Sequence, residues 1–193
     1  STHLLIDIPV GASAKIHSNQ DALKLRKIFE YIGDQLGLHL EVILTDGSQP
    51  IGNGIGPVLE ARDVEKVLTN QSDAPRDLRE KSLRLAGRIL EFDPDVRGGQ
   101  GYVIARDILE SGRAYEKMQA IINAQGAQAE KQYDAPLVYE VKAENSGYVH
   151  AIDNFKIASI ASLAGAPIEK SAGIYLYKKV GDKVKKGEVL YKI

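Results

Sequence analysis

The stretch TDGSQPIGNGIGPVLE, residues 45–60, concentrates Gly47, Gly52, Gly54 and Gly56 with Pro50 and Pro57. It lies between an apolar run, EVILT, and a helical pattern, VLEARDVEKVL. Glycine lets a backbone come close to an anion, and a helix N-terminus offers free N–H groups, so a phosphate cradle is one reading. The nucleotide-loop pattern ends in Gly-Lys-Ser/Thr, and this stretch has no lysine. The dinucleotide pattern G-x-G-x-x-G, started at Gly52, needs glycine where Pro57 stands. The other reading is a tight turn that presents backbone carbonyls. Carbonyls suit a cation, and Glu60 and Asp63 lie just downstream to add a carboxylate.

A second candidate is DIPVGASAKI, 7–16. A strand that ends in Pro-Val-Gly stands where α/β sheets bind ligands, beyond the carboxyl end of a strand. Asp7 is either a capped, hydrogen-bonded carboxylate or a substrate contact, since a lone buried carboxylate is costly. Asp7 and Gly11 are the substrate-binding candidates, and Lys15 reads as a surface residue. His3, His17, His39 and His150 have no metal-ligand partner at i+2, i+3 or i+4. No Gly-x-Ser-x-Gly elbow offers a serine nucleophile. The runs ARDVEK and PRDLREK read as solvated helix faces with i,i+4 ion pairs.

Elements must hold these groups in place. HLLIDIPVG reads as a buried strand closed by Pro9 and Gly11. NQDALKLRKIFEYIGDQLG carries apolar residues at Ala22, Leu25, Ile28, Phe29, Ile32 and Leu36, a helical stripe, with Asn19 or Asp21 as cap and Gly37 as stop. LHLEVILT is the next strand, and a helix follows the glycine-rich loop at 57–69. The order βαβα predicts parallel pairing. A further helix over 74–92 has Leu78, Leu83, Leu85, Ile89 and Leu90 as its buried residues. Helical segments to residue 123 are interrupted by Gly112.

After residue 134 the texture changes. LVYEVKA, GYVHAID, IYLYKKVG and EVLYKI are short strands separated by glycines, with FKIASIASLAGA as the one helix among them. The expected organisation is an α/β part over 1–125, a Gly/Gln/Ala-rich linker at 126–133, and a small β-rich domain over 134–193. The fold class is therefore α/β: a partial parallel-sheet domain followed by a β-rich, barrel-sandwich-like α+β domain.

Bulk properties narrow the class. The chain has 193 residues, a net charge of −1 and no cysteine. Disulfide and thiolate chemistry are excluded within it, and the absence of cysteine is consistent with the cytoplasm. No basic excess points to nucleic acid. No apolar run reaches the ~20 residues of a membrane span, and no signal-peptide pattern appears. The first residues lack Met and enter a strand at once, and the last end on one, so a piece of a longer protein is expected.

Taken in order, three motifs resemble the thymidine, pyrimidine-nucleoside and AMP phosphorylase family: DIPVGASAKI, TDGSQPIGNGIGPVLEARDV and GAPIEKSAGIYLYKKVGDKVKKGEVLYKI. The resemblance covers essentially the whole chain. It implies phosphorolysis by the parent enzyme, with phosphate as co-substrate and no required cofactor. Thymidine is the first expected substrate, and AMP the alternative. It also implies that the family's main phosphate-binding and base-binding sets have no matching positions here, so no catalytic residue is expected in this chain. Some relatives hold a monovalent cation, potassium, on this glycine-rich signature. The matching positions are the carbonyls of Ile51 and Gly54 and the carboxylate of Asp63, where the family has Glu. The parent is expected to be a homodimer acting on small molecules, without nucleic acid or membrane partners. The run 180–190 also resembles a turn of biotinyl and lipoyl carrier domains. A carrier or scaffold module, with Lys170 as the attachment residue, is the non-enzymatic alternative.

Overall fold

The structure, a computed structural model, describes residues 2–126 and 135–193. The expected linker at 126–133 lies, apart from Gly126, outside the described residues. The chain is mixed α/β, with helices and several small sheets.

Strand β1 (His3–Val10) and strand β2 (His39–Asp46) pair in parallel from His3↔His39 to Val10↔Asp46. Helix α1 (Asn19–Gln35) connects them. Parallel strands need such a crossover because a tight turn reverses direction. The N-cap is Ser18, not Asn19 or Asp21. Its hydroxyl accepts from the Asp21 N–H at 3.1 Å, and Asp21 sits in the first turn, where a carboxylate favours the helix dipole. Gly37 follows the helix with φ of +66°, the left-handed stop that glycine adopts at little cost.

Ile8, Ala22 and Val42 form the core of this layer, with Leu25 and Phe29 packed against it. The expected stripe on α1 is therefore only half buried. Ile28, Ile32 and Leu36 are exposed, because the helix turns one side to β1 and β2 and nothing described covers the other.

Three more helices form a second layer: α2 (Pro57–Leu68), α3 (Arg76–Leu90) and α4 (Gln100–Glu110). Helix α5 (Arg113–Ala124) follows the break at Gly112. Val67, Leu83, Ala105 and Leu109 make their shared core. Leu78 and Leu90 of α3 pack against it as expected, whereas Ile89 is exposed.

The C-terminal strands are short: β4 (Glu140–Lys142), β5 (Gly147–Tyr148), β6 (Ile174–Leu176), β7 (Lys183–Val184) and β8 (Val189–Lys192). Helix α6 (Asn154–Leu163) packs Ile157 and Ala161 on Ile174 and Leu176. A two-residue strand inside the glycine-rich loop, β3 (Gly54–Ile55), was not legible in the sequence. It pairs antiparallel with β6 and completes a sheet of order β3-β6-β8-β4, while β5 and β7 pair separately. The loop is thereby stitched to the C-terminal region. Among the described residues no helix is long and apolar enough to cross a membrane.

Candidate functional site

Two loops meet at the carboxyl ends of β1 and β2. The Gly47 N–H donates to the Val10 carbonyl at 2.8 Å, and the Gly11 N–H donates to the Ile16 carbonyl at 3.1 Å. A Cβ at Gly11 would lie 2.5 Å from the Gly47 backbone, so glycine is what lets the loops touch. Asn154, at the start of α6, bridges them. Its Nδ2 donates to the Gly47 carbonyl at 2.9 Å and to the Ser13 carbonyl at 3.3 Å, and its own N–H donates to the Ser13 hydroxyl at 3.2 Å.

An open cavity of about 590 Å³ lies against these loops, lined in part by Asp7, Ser13, Lys15, Lys81, Asn154 and Phe155. Its position agrees with the ligand crevice of open α/β sheets. Asp7 is not alone in it. Its carboxylate accepts from the Thr45 hydroxyl at 2.6 Å and pairs with Lys81 of α3 at 2.6 Å. Both partners place Asp7 as a satisfied carboxylate on the cavity wall. Lys15 lines the same cavity and is exposed. A smaller cavity of about 350 Å³ shares Asp46, Gln49, Ile51 and Lys81 with the larger one and has Asp77, Glu80 and Arg84 in its wall.

Four amides of the loop are already engaged by carboxylates. Ser48 N–H donates to Asp46 at 2.8 Å, Asn53 and Gly54 N–H donate to Asp63 Oδ2 at 2.6 and 2.7 Å, and Gly56 N–H donates to Glu60 at 3.0 Å. A phosphate cradle needs such N–H groups free, so the loop is a carboxylate-braced turn. Its carbonyls do meet a cation. The Lys179 ammonium, from the β6–β7 connection, donates to Pro50 O at 2.7 Å and to Gly52 O, and pairs with Asp77 at 3.0 Å.

This corrects the reading of ARDVEK and PRDLREK as solvated faces. Asp63 is only 2% exposed, Asp77 holds Lys179, and Lys81 holds Asp7. Of the residues matched to a potassium site, Ile51 is partly exposed, Gly54 lies in β3, and Asp63 Oδ2 serves the loop amides. Asp63 Oδ1 is buried without a hydrogen-bond partner, and an orphan carboxylate oxygen suits a cation. Among the described residues no group of three or more His, Cys, Asp or Glu side chains gathers as a metal site.

Beside Asp63, Lys66 pairs with Asp73 at 2.5 Å and stands 6.0 Å from the centre of the Tyr175 ring. The Asp73 hydrogen bond raises the Lys66 pKa above the usual lysine value. Lys170 is exposed in the turn between α6 and β6, and its carbonyl accepts from the Val58 N–H at 3.1 Å. Thr45, Lys81, Asn154 and Lys179 carried no sequence signal, because each partner lies far along the chain.

Comparison with known proteins is informative over the whole chain. Residues 148–193 match the pyrimidine nucleoside phosphorylase C-terminal domain. All 193 residues align with a protein of Methylococcus capsulatus named "Putative thymidine phosphorylase", at 62% identity. Proteins with the same name from a Bradyrhizobium species and from Albidiferax ferrireducens align at 57% and 58%, again over the entire chain. The chain spans 37% to 38% of the length of these curated relatives.

Proposed function

We propose, because the chain belongs to the thymidine and pyrimidine-nucleoside phosphorylase family, that the polypeptide carrying it catalyses phosphorolysis of thymidine. The observation that carries this reading is the similarity at 62% identity across every residue of the chain to a protein of that name. Phosphate oxygen attacks the anomeric carbon while the bond to the base nitrogen breaks. The base leaves with the electron pair and takes up a proton, giving thymine and 2-deoxyribose 1-phosphate. Such a reaction depends on placing an anion against an oxocarbenium-like centre and steadying the departing base.

This chain's contribution is a wall. Asp7, held by Lys81 and Thr45, and the loop pair locked by Gly11, Gly47 and Asn154 shape the cavity at the carboxyl ends of β1 and β2. The α/β part is read as 1–125 and the C-terminal part, 134–193, as a β-rich, barrel-sandwich-like domain that pins the glycine-rich loop through β3 and β6. A monovalent cation such as potassium, when bound, would sit against Ile51, Gly54 and Asp63 and add positive charge beside the loop. The whole protein is read as a cytoplasmic homodimer. AMP, yielding adenine and ribose 1,5-bisphosphate, is the alternative substrate.

The test is a substrate screen of the intact polypeptide with phosphate. Release of thymine from thymidine, with AMP untouched, is expected. The opposite preference moves the protein to the AMP branch. The chain of 193 residues alone is expected to release no thymine, and turnover by it would overturn the assignment of the chemistry to segments outside it.

A further inference from the structure

Lys178 and Lys179 are neighbours whose side chains go to different places. Lys178 pairs with Glu188 at 2.6 Å, within the C-terminal region. Lys179 crosses to the glycine-rich loop, about 130 positions earlier in the chain, and to α3. Its ammonium has three N–H donors, and the loop and α3 supply three acceptors: Pro50 O, Gly52 O and Asp77 Oδ2. The side chain is 19% exposed, so water competes little for those donors.

Two backbone carbonyls and one carboxylate are oxygen acceptors of the kind that hold a monovalent cation. Glycine and proline make this geometry available. Gly52 adopts φ of +71°, and Pro50 has no N–H to turn toward the cage. A second tie reinforces it, since the Val180 N–H donates to Gln49 Oε1 at 2.8 Å.

We propose that the Lys179 ammonium is a tethered cation occupying a carbonyl–carboxylate cage, and that the cage accepts a free ammonium-type monovalent cation once the tether is cut. The cage is distinct from the Asp63 position, because it uses neither the Asp63 carboxylate nor the Ile51 and Gly54 carbonyls. It does not depend on the substrate. Its consequence is positional: Gln49 and Ile51 line both cavities, and Pro50 and Asp77 line the smaller one, so Lys179 ties down part of the smaller cavity's wall.

The experiment uses Lys179→Ala in the intact polypeptide. Its thermal midpoint is expected to fall by roughly 2–4 °C relative to the unmodified protein, from the loss of charge-assisted hydrogen bonds. Methylammonium or ammonium chloride is expected to restore at least half of that fall, compared with tetramethylammonium chloride at equal ionic strength. The double variant Lys179→Ala, Asp77→Asn is expected to show no such recovery. An unchanged midpoint, or a fall that all three salts affect equally, overturns the proposal. A measurement on the unmodified protein stands if the alanine variant does not fold. With nitrogen-15-labelled lysine, a side-chain ammonium resonance protected from solvent exchange is expected, and it should be missing in Lys179→Arg. Absence of any such resonance also overturns the proposal.

Discussion

Asp63 Oδ2 lies 2.7 Å from the amide nitrogen of Gly54, and the same oxygen takes the Asn53 N–H at 2.6 Å. A carboxylate on α2 therefore closes the glycine-rich loop that leads into its own helix. A lone buried carboxylate would be expensive, and two charge-assisted hydrogen bonds offset that cost.

Removing the carboxylate leaves two loop amides without an acceptor. Asp63→Ala is expected to destabilise the protein by about 3 kcal/mol, and Asp63→Asn by about half as much, since the amide oxygen still accepts. Urea denaturation of the two variants measures the difference. A loss below about 1 kcal/mol in Asp63→Ala would show that water replaces the carboxylate.

Gly11→Ala places a Cβ 2.5 Å from the Gly47 backbone. The atoms it meets, of Gly47 and Ser48, are all main chain, so no flexible side chain can move aside. A loss of about 2–3 kcal/mol is expected, with the two loops forced apart. Protease sensitivity of the bond following Gly47 should rise in parallel, and unchanged resistance would count against this contact.

Asp7 is satisfied by Thr45 and Lys81, each at 2.6 Å. Asp7→Asn is expected to lower the thermal midpoint by a few degrees and to lower kcat/KM for thymidine by less than tenfold, because the pair shapes the wall rather than reacts. A loss above a hundredfold would place Asp7 on the substrate. Steady-state kinetics of the intact polypeptide decides between them.

The Glu188 carboxylate is held below the usual glutamate range, first by the hydrogen bond from Lys178 and then by the Lys185 backbone N–H. A depressed folded-state pKa means that its stabilisation is fully present above the ordinary value of 4.5 and is lost as pH falls through the lower folded value. Glu188→Gln should therefore flatten the decline of the thermal midpoint below pH 4.5, leaving the difference between the two proteins constant above it. Midpoints measured from pH 3 to pH 7 test this, and parallel curves throughout would remove Glu188 from the acid response.

Much of the architecture was legible. Gly37, Gly112, Pro57 and the apolar spacing of HLLIDIPV and HLEVILTD place elements that the structure shows within a few residues. The miss at the start of α1 was local: Ser18 outcompeted Asn19 because its hydroxyl reaches the Asp21 N–H. The misses at Ile28, Ile32 and Ile89 were not local. Helical periodicity reports an apolar face, but which part of that face is covered depends on neighbours that the periodicity does not contain.

The candidate site divides the same way. Asp7, Gly11 and Asp63 stood out because a carboxylate at the end of an apolar strand, a glycine after it and a carboxylate beyond a glycine-rich turn are unusual in place. Thr45, Lys81, Asn154 and Lys179 are ordinary residues in ordinary surroundings until the chain folds. By itself the sequence determined the element types, their order and the family resemblance, because backbone sterics, hydrogen-bond spacing and apolar period act between near neighbours. Only the tertiary structure decided that β3 pairs with β6 and that Lys179 reaches Pro50, Gly52 and Asp77. A charge's partner is chosen by distance in space, and for residues about 100 to 130 positions apart that distance exists only in the folded chain.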